Sequence, residues 1–125
     1  MEKRYILDTN IAIYFLQGRL TSKVSDFLKP ILKNKANLSV ISKIELLSWD
    51  EDPDVSQNFV DNSQIFAMEE IVVNICIDIR KKYRVKLPDA IIAATSMAYG
   101  FVLITRNGSD FRKIHELNWI NPFDD

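Results

Sequence analysis

The sequence predicts an α/β fold in which a short, mainly parallel sheet carries helices on both faces. Short apolar runs alternate along the chain with longer amphipathic stretches. Such alternation is typical of βαβ units, whose right-handed crossovers place helices on both sides of a parallel sheet. The chain has 125 residues and shows neither an internal repeat nor a linker-like stretch. We therefore expect one domain that spans residues 1–125.

Five short apolar runs are the strand candidates. Each is only a few residues long and is followed by residues that favour helix starts or turns. They are Tyr5–Leu7, Leu38–Val40, Gln64–Met68, Phe101–Thr105 and Trp119–Ile120.

The stretches between these runs have helical spacing of apolar side chains or carry helix-start residues. A helix capped by Thr21 or Ser22 contains Pro30, so we expect a kink or break there. The other predicted helices are Ile11–Leu16, Ser42–Trp49, Asp54–Asn62, Glu69–Arg84 and Ala90–Ala98, with a turn at Asn107–Gly108 and a short helix or turn at Asp110–Leu117.

Composition excludes several classes of protein. Hydrophobic residues make up 47% and charged residues 26% of the chain, which is typical of a globular protein. The single cysteine, Cys76, excludes a disulfide scaffold, and the single histidine, His115, excludes a zinc site built on a His pair. No apolar run approaches the ~20 residues of a membrane span, and the first residues do not read as a signal peptide. We expect a cytoplasmic protein that has no membrane partner.

Four acidic residues lie at or just after predicted strand ends: Asp8, Glu45, Asp89 and Asp110. In an open parallel sheet, functional groups gather beyond the carboxyl ends of the strands. Carboxylates that converge without His or Cys form the ligand set preferred by Mg²⁺ or Mn²⁺. The net charge is −1, and reserving four acids for one site changes it to +3.

Each acid also has a purely structural interpretation. Asp8 can cap the helix that follows it. The segment from Ser42 to Glu45 fits a capping box, in which the Glu side chain bonds back to the helix start. Asp89 and Asp110 can serve as first-turn acids that face a helix dipole. Both interpretations stay open for each residue.

Polar residues near the acids have similar alternatives. Asn10 is either a helix-start residue or one that orients a carboxylate. Thr105 is either a polar strand end or a hydroxyl beside the site, and Asn107 either forms a turn or faces the acids. Arg106 is either solvated or in contact with phosphate. The basic run Arg80–Lys86 interacts with helix-end carbonyls or with an RNA backbone.

Four segments together resemble the motifs of PIN-domain ribonucleases, in order and spacing over nearly the whole chain. The first motif is similar to Ile6–Asn10, the second to Ser39–Leu46 and the third to Leu87–Thr95. The segments Leu103–Phe111 and Ile120–Phe123 resemble the C-terminal signature of the VapC-like branch, the toxins of type II toxin–antitoxin systems.

The resemblance implies a three-layer α/β/α sandwich, PIN-like and Rossmann-like, and Mg²⁺- or Mn²⁺-dependent endonucleolytic cleavage of RNA. It implies that the acidic metal-site residues are Asp8, Glu45, Asp89 and Asp110, and that the polar residues lining or bracing their pocket are Asn10, Thr105 and Asn107. It also implies a homodimer held inactive by a cognate antitoxin. The near-neutral charge favours a selective substrate such as a tRNA or rRNA loop.

Two alternatives remain at this point. One is a non-catalytic PIN-like module that binds RNA or a protein. The other is a Mg²⁺-dependent phosphotransfer domain in which Asp8 is the acceptor or nucleophile.

Overall fold

The computed structural model describes residues 3–49 and 51–124; Met1, Glu2, Asp50 and Asp125 lie outside the described residues. Its strands are all short, and β1, β2 and β4 are mostly buried. They are β1 (Tyr5–Leu7), β2 (Asn37–Ser39), β3 (Gln64–Phe66), β4 (Val102–Ile104) and β5 (Trp119–Ile120).

The strands form two parallel groups. One has the order β1-β4-β5, and the other pairs β2 with β3. A side chain joins the groups, because Asn37 Nδ2 donates a hydrogen bond of 2.8 Å to the Tyr5 carbonyl oxygen. Since every pairing among the described strands is parallel, their carboxyl ends lie at one edge of each group.

The helices follow the strands in the order that the sequence predicts. They are α1 (Thr9–Leu16), α2 (Ser22–Leu32), α3 (Val40–Ser48), α4 (Pro53–Asp61), α5 (Glu70–Lys82), α6 (Leu87–Ala98) and α7 (Gly108–Phe111).

Alternation along the central strands divides the core into two layers. Ile6 and Leu103 pack with α5, α6 and α7, in a cluster that includes the buried Cys76. Leu7 and Ile104, the next residue of each strand, pack on the opposite face with α1, α2, α3 and α4. Because side chains alternate between the faces of a strand, the fold is a three-layer α/β/α sandwich, as the sequence predicts.

Most helices differ from their predicted limits. Helix α1 begins at Thr9, not Ile11, α6 begins at Leu87, not Ala90, and α7 ends at Phe111, not Leu117, while α4 and α5 differ by one or two residues at each end. Helix α2, capped by Thr21, continues two residues past Pro30 to Leu32. Of the predicted kink or break at this proline, the break is wrong, and the kink stays a prediction. Helix α3 begins at Val40, not Ser42, and its first-turn cap is Ser39, whose hydroxyl accepts a hydrogen bond from the Ser42 backbone N–H at 3.2 Å.

The predicted turn at Asn107–Gly108 is also wrong. Asn107 is the residue before α7, and Gly108 is its first residue. The approach of Trp119 explains the glycine, because a Cβ atom at position 108 would lie 2.9 Å from the Trp119 ring. None of the helices in residues 3–49 and 51–124 is long and apolar enough to cross a membrane.

Candidate functional site

Asp8 stands where the two central strands end together. Leu7 pairs with Ile104, so the residues that follow them, Asp8 and Thr105, lie side by side. The Asp8 backbone N–H donates to the Ile104 carbonyl oxygen at 2.9 Å. Thr105 Oγ1 donates to Asp8 Oδ2 at 2.7 Å, and the Thr9 backbone N–H donates to Asp8 Oδ1 at 2.8 Å. Asp8 is therefore both the cap of α1 and a carboxylate held from two sides.

Asp8 is only 4% exposed, and its pKa is raised from 3.8 to about 6, with burial as the largest cause. The hydrogen bonds from Thr105 and Thr9 act in the opposite direction, since they favour the ionised form. The negative charges of Asp89 and Glu45 raise the pKa further. Asp8 is thus a buried acid whose pKa is affected by the charges of two of the other predicted site residues.

Glu45 reaches the site through the first residue of α1. Thr9 Oγ1 donates to Glu45 Oε1 at 2.6 Å and shares a hydrogen bond of 2.9 Å with Ser42 Oγ. The capping-box interpretation of Ser42 and Glu45 is wrong, because Ser39 caps α3 and both residues lie inside the helix. Their three-residue spacing puts them on one face of α3, toward α1.

Asp89 lies in the first turn of α6 and is electrostatically coupled to the other acids. Partial burial raises its pKa, and the charges of Asp110 and Glu45 raise it further, while Lys86 lowers it. The first-turn position predicted for Asp89 is confirmed. This position is compatible with a role in the site, because the charges of Asp110 and Glu45 act on the same carboxyl group.

Asp110 is positioned by the segment that follows β4. It lies within α7, and Asn107 Nδ2 donates to Asp110 Oδ2 at 2.8 Å. The Asn107 backbone N–H in turn donates to Thr105 Oγ1 at 2.9 Å. One short segment therefore holds two acids, because Thr105 binds Asp8 and Asn107 binds Asp110.

Asn10 is placed differently from the other predicted polar residues. It is exposed in the first turn of α1, and its side chain makes no hydrogen bond to any residue in 3–49 or 51–124. In this structure it orients none of the four carboxylates through a direct hydrogen bond.

The four acids lie in one electrostatic neighbourhood but do not form a closed ligand shell. Among the described residues, no three His, Cys, Asp or Glu side chains are already close enough to hold a metal ion. Their chemistry nevertheless fits a hard divalent cation, because the donors are carboxylate oxygens with hydroxyl and amide partners. Burial is the largest cause of the raised pKa values of Asp8 and Asp89, and the neighbouring carboxylates raise both further.

The geometry disfavours Asp8 as a phosphoryl acceptor. Both of its oxygens already accept hydrogen bonds, and the side chain is buried. A nucleophilic carboxylate needs an oxygen that is accessible to the substrate.

Sequence reasoning missed the hydroxyl pair of Thr9 and Ser42. Both side chains are buried, and together they connect α1 to Glu45 on α3. Thr9 lies 36 residues from Glu45, and no local pattern reports a contact over that separation. The signal available was a hydroxyl residue directly after Asp8, in the first turn of a helix.

A family model for the PIN domain matches residues 5–117 of the chain. The chain belongs to the PIN domain family. The matched region contains β1 through α7 and includes all four acids of this PIN domain. None of the curated proteins matches its sequence.

Solved structures share the fold of this PIN domain over almost its entire length. A toxin–antitoxin complex from Klebsiella pneumoniae has a chain with TM-score 0.78 and 24% identity, covering 98% of this chain and 100% of that one. DNA-bound VapBC from Salmonella typhimurium has a chain with TM-score 0.80 and 18% identity, covering 97% of this chain and 99% of that one. FitAcB from Neisseria gonorrhoeae has a chain with TM-score 0.79 and 19% identity, covering 97% of this chain and 99% of that one. At these identities the likeness establishes the fold.

Proposed function

We propose that this PIN domain is a Mg²⁺- or Mn²⁺-dependent endoribonuclease and the toxin of a type II toxin–antitoxin pair. The observation that carries the proposal is the coupling of acids from separate elements. Asp89 on α6 experiences the charges of Asp110 on α7 and Glu45 on α3, and Asp8 at the end of β1 experiences those of Asp89 and Glu45. Like charges that lie close together destabilise a fold unless a cation binds between them. Clustered acids with raised pKa values are therefore typical of functional sites.

The residues that would hold the ion are Asp8, Glu45, Asp89 and Asp110. A divalent ion bound by these oxygens supplies a more acidic water and positive charge beside the phosphoryl group. Mg²⁺ commonly keeps several of its waters in proteins, so direct contact with every carboxylate is not required.

The chain's own residues set the direction of the carboxylates. Thr105 and the Thr9 backbone N–H fix both oxygens of Asp8, so its plane is determined before any ligand arrives. Asn107 fixes one oxygen of Asp110 and leaves the other available. Thr9 Oγ1 holds Glu45, whose side chain is otherwise at the surface. Such preorganisation lowers the free energy needed to arrange ligands around a cation.

The partners follow from the same proposal. Structures that share this fold include toxin–antitoxin complexes, which supports a cognate antitoxin for this chain. We propose that the active form is a homodimer and that the substrate is a structured RNA such as a tRNA or rRNA loop. The near-neutral net charge of −1 disfavours broad binding to nucleic acid and favours a selective substrate.

The test is cleavage of total cellular RNA by the purified chain in Mg²⁺, Mn²⁺ or EDTA, with Asp89→Asn alongside. We expect discrete RNA fragments with either metal, none with EDTA and none with Asp89→Asn. Asp78→Asn is the matched control, because this acid is 69% exposed on α5 and forms its ion pair with Lys82 on the same helix. Equal cleavage by wild type and Asp89→Asn would show that the four acids are not the site.

One observation favours a second candidate, a non-catalytic PIN-like module that binds RNA or a protein. The acids form no ready three-ligand set among the described residues. This candidate predicts binding that is unaffected by EDTA and no cleavage of any RNA, so the same experiment separates the two.

A further inference from the structure

Arg106 occupies an unusual position beside the acids. It lies between Thr105, which binds Asp8, and Asn107, which binds Asp110. Consecutive Cα atoms are ~3.8 Å apart, so the Arg106 backbone lies within one residue of both acid-binding side chains. Its own side chain turns to two aromatic rings. The guanidinium carbon is 4.5 Å from the centre of the Phe123 ring and 5.4 Å from that of Tyr14.

The two rings are themselves fixed in position. Tyr14 and Phe123 meet edge to face with centroids 6.1 Å apart. The Phe123 backbone N–H donates to Asn121 Oδ1 at 3.0 Å. A second guanidinium, that of Arg19, lies 4.9 Å from the Tyr14 ring. The Arg19 guanidinium also donates a hydrogen bond of 3.1 Å to Gln17 Oε1 and follows the far end of α1. Arg106 and the two rings therefore form one cluster just after the end of β4, here called the Arg106 cluster.

The guanidinium of Arg106 keeps its hydrogen-bonding capacity. Arg106 is exposed, and within residues 3–49 and 51–124 its side chain makes neither a hydrogen bond nor a salt bridge. A guanidinium has five N–H donors, and stacking on rings leaves its edge free to bind a planar anion in two-point fashion. The rings also limit its rotamers, so less side-chain entropy is lost when a ligand binds.

A positively charged side chain beside the four acids favours the approach of RNA. A phosphodiester that approaches four carboxylates is repelled, and the net charge of the chain supplies no general attraction. The Arg106 guanidinium, which belongs to the residue between the two acid-binding side chains, offsets part of that repulsion locally.

We propose that the Arg106 cluster binds single-stranded RNA, with the Arg106 guanidinium contacting a backbone phosphate beside the four acids. This inference rests on the proposed function, since it assumes that RNA reaches the acids. It deepens that function by specifying an unpaired segment as the bound form.

The test measures equilibrium binding of a short, unstructured, fluorescently labelled RNA by anisotropy, at several salt concentrations and in EDTA. All variants are made in the Asp89→Asn chain, so binding is read without cleavage. We expect Arg106→Gln to weaken binding about tenfold and to reduce the slope of log K against log salt by about 0.7, the value for one phosphate contact to a single strand. Arg106→Lys should keep the slope and recover only part of the affinity, because it retains the charge but not the planar group.

Arg4→Gln is the matched control. Arg4 also lies over a ring, with its guanidinium carbon 4.6 Å from the centre of Phe101, but these residues precede β1 and β4 at the opposite end of the sheet. We expect this variant to keep the affinity and the slope. Thermal melting of each variant shows whether the fold is retained.

The outcomes separate this inference from the proposed function. If Arg106→Gln binds RNA with unchanged affinity and slope, or if Arg4→Gln loses as much, the inference is overturned. It is also overturned if an acidic peptide binds in an Arg106-dependent way and the RNA does not, which would assign the cluster to a protein partner. If RNA binding depends on Arg106 but the wild type cleaves no RNA, the result supports the inference and contradicts the proposed nuclease activity.

Discussion

Individual residues at this site combine structural and chemical roles. Asp8 caps α1 and at the same time places a buried carboxylate between Thr105 and Thr9. The sequence presents these roles as alternatives, but the two oxygens of the carboxylate allow both. One oxygen accepts the helix-start N–H, and the other accepts the hydroxyl from the neighbouring strand end.

The raised pKa of Asp8 makes stability depend on pH in a definite direction. Its pKa is about 6 in the folded protein against an ordinary value of 3.8, so between these values the folded state holds more protons than the unfolded state. The stabilisation is present below about pH 4 and is lost as the pH rises through about 6. A difference of this size corresponds to about 3 kcal/mol, because one pKa unit is 1.36 kcal/mol.

We therefore expect Asp8→Asn to gain stability over the wild type as the pH rises, by up to about 3 kcal/mol between pH 4 and pH 8. The measurement is urea unfolding in EDTA at both pH values. Asp26→Asn is the control, because that side chain is 77% exposed on α2 and should follow the wild type. If wild type and Asp8→Asn show parallel pH profiles, Asp8 is not the buried acid described here.

At the scale of elements, the sequence predicted the strand–helix order, and most element limits lie within a few residues of the predicted ones. The strands were predictable because each is a short apolar run that ends at a helix-start or turn residue. The start of α3 was not, because Ser39 and Ser42 are both possible caps, and Glu45 makes the second resemble a capping box. The pairing that ends β2 at Ser39 decides between them.

The contacts of the site were less predictable than its residues. The four acids could be selected because each follows a strand or opens a helix. The bonds that hold them join residues 97 apart, as in Thr105 and Asp8, or 36 apart, as in Thr9 and Glu45. Such contacts follow from strand register and helix packing, which a single sequence does not report.

Helix α7 offers a test of how an element positions an acid. A Cβ atom at position 108 would lie 2.9 Å and 3.1 Å from two atoms of the Trp119 ring. Gly108→Ala should thus displace α7 or the ring and destabilise the fold by about 1–3 kcal/mol. Because Asp110 belongs to α7, we also expect lower RNA cleavage under native conditions.

A double-mutant cycle is the control for Gly108→Ala. Trp119→Leu removes the opposing ring, so the alanine should cost less in that background than in the wild type. Urea unfolding of the four proteins gives the coupling. Equal costs in both backgrounds would show that the ring contact does not require the glycine.

The whole molecule is organised around the edge at which the parallel strands end. Two apolar layers, one on each face of the sheet, contribute acids to this edge: Asp8 and Glu45 come with the layer of α1 and α3, while Asp89 and Asp110 come with that of α6 and α7. The site therefore exists only when both layers pack on the same sheet. A ligand that binds all four acids should stabilise the whole fold.

The most direct test of the account is calorimetric titration of the metal-free chain with Mn²⁺, for the wild type, Asp89→Asn and Asp78→Asn. We predict saturable binding by the wild type, the same affinity for Asp78→Asn, and an affinity about tenfold or more weaker for Asp89→Asn. Absence of Mn²⁺ binding to the wild type, or equal affinity for all three proteins, would contradict the claim that folding gathers these acids into one cation site.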